Sequence, residues 1–368
     1  MKAADKNFPA IAYFVTSHGL GHAARACAVM QALYLVKPAI RFEIFTDAPA
    51  WIFQQSLTVT FRYHPLKTDV GLVQSSPFSE DVDATRQRLA QWLPFDRKTV
   101  QNTARRISRL ACQAVVCDIA PFGIAVAESA KLPSLLVENF TWDWIYEGYR
   151  ELAEKSPDLL VYLAKYYSKA TFRVQTEPVC RRAPDTLKTA PIGRRPRTEP
   201  DEIRRRLNIP TDRKMVLVTM GGVPDNSDYT AVLQQQPDIC FVLPGGGSLK
   251  QTGNLVQLPL RSAFYHPDLI AASDAVVGKA GYSTMAEAYY AAKPYGYIAR
   301  ASFPESAFLK TFIEQRMAGL EISHQEMITG AWIQQLPKLL QMQPAAPRHA
   351  NGADQAAALL LKYLPGVA

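Results

Sequence analysis

Val276 to Glu287 reads VVGKAGYSTMAE. The valines predict a buried strand, the small residues after them a turn, and the segment from Ser283 or Thr284 a helix. A helix start carries N–H groups without intrahelical acceptors and a partial positive charge, which suits a phosphate. Lys279 adds a full charge there, and the turn Gly281-Tyr282-Ser283 lets a ligand approach the backbone closely. The spacing Thr284-x-x-Glu287 also fits a capping box, in which Glu287 only serves its own helix. The ligand reading gives Glu287 sugar hydroxyls instead, since phosphate repels a carboxylate.

Outward from that stretch, strand-like and helix-like segments alternate. Strands are expected at 215–219, 239–243, 256–258, 275–277 and 295–298. The preceding residues 189–200, TAPIGRRPRTEP, are rich in proline and charge and predict a linker over 191–200. Further upstream, strands are expected at 11–15, 40–45, 114–117 and 134–137, with helices at 23–36, 86–92, 100–110 and 123–130. Such alternation means parallel βαβ units, whose ligands gather beyond the C-terminal strand ends. The expectation is an α/β protein of two doubly wound Rossmann-like units, 1–190 and 201–345, facing a cleft. A last helix within 346–368 either closes the second unit or packs back on the first.

A second stretch, Val15 to Ala26, reads VTSHGLGHAARA. Gly19-Leu20-Gly21-His22-Ala23-Ala24 satisfies GxGxxA, and Asp47 lies 23 residues past Ala24 at the end of the next strand. That is the dinucleotide pattern with its ribose-binding acid. Against it, Thr16-Ser17-His18 separate the strand from the first glycine more widely than that tight turn does. Gly19 and Gly21 can equally serve a strained turn, with His22 as a capping residue. Facing a cleft, His22 would suit proton removal from a hydroxyl, because imidazole titrates near cellular pH. Asp118, delivered by the 114–117 strand, is the candidate to orient it, or else a plain cap.

Composition narrows the classes. Of 368 residues 48% are hydrophobic and 20% charged, as in an ordinary globular protein, and the length favours two domains. No window approaches a membrane span, and MKAADKNFPA lacks an apolar signal core, so a cytoplasmic protein is expected. Five scattered cysteines without a CxxC pair argue against a disulfide framework or a zinc site. Net charge is +8. The densest basic runs, Arg194-Arg195-Pro196-Arg197 and Arg204-Arg205-Arg206, lack interleaved aromatics and read as a solvated linker and helix face. Nucleic acid is therefore not an expected partner, while peripheral contact with an anionic membrane surface stays open. Asp81-Val82-Asp83 is a DxD, but it precedes a helix, where acids suit the positive end. No metal is expected.

VGKAGYSTMAEAYYAAKP (277–294) resembles the donor-binding segment of the bacterial transferases that add N-acetylglucosamine to the lipid-linked peptidoglycan precursor, and of related GT-B glycosyltransferases. Thr219-Met220-Gly221-Gly222 resembles their second glycine loop. A closer resemblance, over most of the chain, is to the glycosyltransferase-like N-terminal region of arabinokinases: SHGLGHAAR, CDIAPFGIAVAESAKLPSLLVENFTWDWIY and FPESAFLKTFIEQRMAGLEIS carry it. The 368 residues leave no room for a sugar kinase part, so this region is expected to act alone.

The resemblance implies a GT-B fold and an inverting, metal-independent transfer from a UDP-sugar co-substrate, with no other cofactor. The acceptor would be a small or lipid-linked molecule. His22 would be the base with Asp118 behind it, His18 being the second candidate. Gly221, Gly222, Lys279, Gly281, Tyr282, Ser283 and Thr284 would hold the diphosphate, Glu287 the ribose, and Leu260 and Arg261 the base. Glu305 and Ser306 resemble in placement the residues that touch the donor sugar, but their identities differ from those of the peptidoglycan enzymes, which leaves the sugar open. Gly19, Gly21, Asn139, Trp142 and Trp144 are the acceptor candidates, although tryptophans also serve as core. The second glutamate of retaining enzymes would fall on Tyr295, which implies inversion. A sugar-nucleotide hydrolase or epimerase, and a non-catalytic sugar-nucleotide binder, are the alternatives.

Overall fold

The computed structural model describes residues 9–76, 78–184, 186–221 and 230–363. Their strands are β1 (Ala10–Val15), β2 (Arg41–Thr46), β3 (Phe61–Pro65), β4 (Val73–Ser76), β5 (Ser79–Asp81), β6 (Cys112–Asp118), β7 (Ser134–Glu138), β8 (Phe172–Thr176) and β9 (Leu187–Thr189). There follow β10 (Lys214–Thr219), β11 (Ile239–Gly246), β12 (Lys250–Thr252), β13 (Leu255–Pro259), β14 (Ala275–Lys279), β15 (Tyr295–Ile298) and β16 (Gly319–Glu321). They form two seven-stranded sheets, ordered β3-β2-β1-β6-β7-β8-β9 and β12-β13-β11-β10-β14-β15-β16, while β4 and β5 pair in a small ribbon. Among the described residues, the strands of the first sheet pair in parallel, and in the second β12 alone runs antiparallel.

Each sheet reverses its strand order beside one central strand. In the first, β1 lies between β2 and β6, with Val15 opposite Asp118. In the second, β10 lies between β11 and β14, with Thr219 opposite Gly278. Crossovers leave such a point in opposite directions and open a crevice at the C-terminal strand ends. The central strand AIAYFV is apolar throughout, and KMVLVT is apolar between its terminal Lys214 and Thr219, as burial on both faces demands. The second sheet's core gathers Val216, Val218, Phe241, Val277 and Ile298 with Trp332 and Leu336.

The chain divides into two compact units. The first runs to Ile192 without Ser75–Ser79 and resumes at Ala350; the second is Gly193–His349 with Ser75–Ser79. The helix Gly352–Tyr363 thus belongs to the first unit. Gly352 N–H donates to Pro191 O at 3.0 Å, and a Cβ there would stand 1.9 Å from Ala190 O, so only glycine admits this approach.

The boundary between the units falls within the expected linker 191–200, and Arg195 to Arg197 are exposed as expected, but Arg194 is not solvated. Pro191 to Arg194 are buried, and Arg194 finds a carboxylate partner within the second unit. Asp81 caps the helix Val82–Trp92 by accepting from Ala84 N–H at 2.8 Å, and Asp83 pairs with Arg86. All five cysteines are buried thiols, none of them in a disulfide.

Candidate functional site

In the first unit, the loop after β1 turns through Gly19 at φ +69° and enters the helix Gly21–Val36. His22 stands in the first turn of that helix. Asp118 ends the adjacent strand, and the two side chains meet: His22 Nδ1 lies 2.9 Å from Asp118 Oδ1. A carboxylate oxygen accepts only, so Nδ1 carries the proton and neutral His22 keeps its lone pair on Nε2. The His22 side chain is 11% exposed and that of Asp118 is 0% exposed.

Sequence reading did not assign the third member of this cluster, Arg25. One turn beyond His22 on the same helix face, its Nε donates to Asp118 Oδ2 at 2.8 Å and its Nη2 to Oδ1 at 2.6 Å. Nη1 donates to Asn139 Oδ1 at 2.5 Å. Burial alone would push the Asp118 carboxyl up; the Arg25 guanidinium, then His22, more than reverse this and hold it below the usual range.

His18 is differently engaged. Its Nδ1 accepts from Leu72 N–H at 3.3 Å, which puts the neutral proton on Nε2 and leaves no lone pair there. Gly71, at φ +62°, packs so closely that a Cβ would lie 2.9 Å from the ring. Beside it Asp69, also unassigned from sequence, is buried, with Oδ2 accepting from Trp142 Nε1 at 3.0 Å. Burial pushes its carboxyl up to about 7, offset in part by Thr16 and Trp142. Trp142 is core, set edge-on to His18, whereas Trp144 is half-buried. Asn139 is fully buried against Arg25.

In the second unit, β14 delivers Lys279, and the helix Tyr282–Tyr290 follows with Gly281 as its N-cap. It starts at Tyr282, one residue ahead of the earliest expected start, and no side chain caps it, so the Thr284/Glu287 capping box does not form. Gly221, at φ +70°, comes beside Lys279: a Cβ there would sit 3.7 Å from Lys279 Cε. Gly278 allows this convergence, since a Cβ at 278 would strike Thr219 O at 1.8 Å. Lys279, Gly281 and Ser283 are half-buried; Tyr282 and Thr284 are buried. Gly222 lies outside the described residues.

Glu287 is buried in an ion-pair cluster that no sequence signal announced. Arg194 Nε donates to its Oε1 at 2.7 Å, and His266 Nδ1 lies 3.0 Å from Oε2. His266 Nε2 reaches toward Thr219 Oγ1 at 3.4 Å. Burial would raise the Glu287 carboxyl, but the Arg194 charge and the His266 contact hold it low. Leu260 and Arg261 are exposed after β13, and Leu260 N–H donates to Gly246 O at 3.1 Å. Glu305 caps the helix Ser306–Arg316 through backbone position alone, and both Glu305 and Ser306 are buried. Among the described residues, no cluster of three or more His, Cys, Asp or Glu could hold a metal ion, and no helix is long and apolar enough to cross a membrane.

The first unit thus carries an imidazole–carboxylate pair beyond its central strands, and the second a lysine beside a helix start. The family model described as Glycosyl transferase family 1 matches residues 9–337, and the chain belongs to that family. An L-arabinokinase of Arabidopsis thaliana is 27% identical over 354 residues, 95% of this chain; the chain spans 34% of that relative's length. UGT89C1 of Arabidopsis thaliana, solved in complex with UDP, superposes with a TM-score of 0.61 at 12% identity, covering 97% of this chain and 99% of that one. MurG of Acinetobacter baumannii gives 0.56 at 14% identity, covering 96% and 99%. The fold is GT-B, built from two Rossmann-like parallel-sheet units.

Proposed function

We propose that this protein is an inverting, metal-independent glycosyltransferase that moves a sugar from a UDP-sugar to an acceptor hydroxyl. The observation that carries the reading is the contact of His22 with Asp118, which leaves Nε2 of His22 as a proton acceptor. The second unit supplies donor binding: Lys279, Gly221 and the start of the helix Tyr282–Tyr290 neutralise a diphosphate, which also stabilises it as leaving group. The UDP bound by UGT89C1 supports uridine as the nucleoside. The acceptor oxygen forms a bond to the anomeric carbon as the bond from that carbon to the diphosphate breaks. The diphosphate departs with the electron pair, and the acceptor proton passes to His22 Nε2. His18, whose Nδ1 accepts a backbone N–H, is not the base in this scheme. Glu287 holds Arg194 and His266 in place and contributes to ribose binding from within that cluster.

A thermal-shift panel of nucleotides and nucleotide sugars identifies the donor, because a bound ligand raises Tm by mass action. With that donor, His22→Ala should lower turnover by roughly 100-fold while the donor-induced shift persists. Loss of donor binding to the same degree would refute the base assignment. UDP release without any acceptor would point to hydrolysis instead.

A further inference from the structure

Arg25 is an unusual neighbour for a base. It is buried, its fork closes on both oxygens of Asp118, and its third nitrogen is anchored on Asn139. Its Nη2 also lies 3.1 Å from His22 Nδ1. A lone carboxylate beside an imidazole favours the imidazolium, which has no lone pair to accept a proton. A fixed guanidinium acts in the opposite sense twice: it neutralises the carboxylate, and it repels a positive charge on the ring. The same fork fixes the direction in which Oδ1 faces His22.

We propose that Arg25 is a positioning residue, which holds Asp118 against Asn139 and keeps His22 neutral, with its proton on Nδ1. The proposal rests on the reading of His22 as the base, but its test does not use transfer activity. Other charged or titratable groups around the pair are Tyr13 on β1, Cys117 on β6, Cys27 on the helix of His22, His18 in the loop, and Asp69. Burial pushes Tyr13 and Cys117 up, so both stay neutral. Asp69, pushed up to about 7, titrates in the working range, so Asp69→Asn serves as the background that removes it.

The experiment is a ¹⁵N-imidazole NMR titration of ligand-free protein, with His22 assigned through His22→Gln. In the Asp69→Asn background, His22 should be neutral at pH 7.5 with the proton on Nδ1. Adding Arg25→Gln should raise the charged fraction of His22 roughly tenfold at that pH, whereas Arg25→Lys, which keeps the charge, should raise it far less. An unchanged titration in Arg25→Gln, or equal titrations of the Gln and Lys variants, overturns the proposal. Should Arg25→Gln not fold, the parent decides: a proton on Nε2, or a charged ring at pH 7.5, overturns it. An inert outcome for His22→Ala in transfer would sink the proposed function while leaving this charge relation intact.

Discussion

At Asp69 a single carboxyl sets a pH dependence that opposes the usual acidic residue. Its folded pKa, about 7, lies above the unfolded value, so between roughly pH 4 and 7 the folded state binds more protons. Stability therefore falls as pH rises through that window. Asp69→Asn, which keeps an oxygen for Trp142 Nε1, should match the parent near pH 4.5 and exceed it at pH 8 by on the order of 2–4 kcal/mol. Urea unfolding at the two pH values checks this, and parallel curves would refute it. Asp118 and Glu287 have the reverse sign: both are held low by arginine, so their contribution is present above the unfolded pKa and lost as acid brings them through the lowered folded value. Asp118→Asn leaves Arg25 facing a neutral amide in a buried site and should cost about 3 kcal/mol in the same assay.

The elements differ in how far the amino-acid order announces them. AVVC, MVLV and IAYFV were readable as strands because burial on both faces makes a continuous apolar run. The strands FRYHP, FRVQT and GLE went unread, since polar residues interrupt them and none carries a continuous apolar run. His22 with Asp118 was inferable because neighbouring strand ends converge. Arg25 and Asp118 are 93 positions apart, as are Arg194 and Glu287, and nothing local marks either pairing. Arg194 was hidden in a basic run that looked solvated. Gly278 illustrates close packing between elements: Gly278→Ala would drive a methyl into the carbonyl of Thr219 and should cost about 3 kcal/mol or prevent folding, read by guanidinium unfolding. Wild-type stability would show that β10 and β14 yield more readily than their register suggests.

For the whole molecule, the expectation of two Rossmann-like units holds, but chain order and unit membership diverge. Gly352, Ala353, Ala356, Ala357 and Leu360 are the buried residues of the helix Gly352–Tyr363, which packs with helix Gly21–Val36 and strands β8 and β9 of the first unit. Leu360→Ala should cost about 2–4 kcal/mol. Because the loss belongs to the first unit, the fluorescence of Trp142 and Trp144 should report it, while Trp332 in the second unit should not. The same arrangement governs how the polypeptide matures on the ribosome. Residues 193–349, all of the second unit but Ser75–Ser79, emerge as one block, whereas the earlier-made sheet should keep an alanine-rich flank uncovered until a helix translated more than 150 residues later arrives. Nascent chains stalled before that helix should therefore be the ones that recruit chaperones.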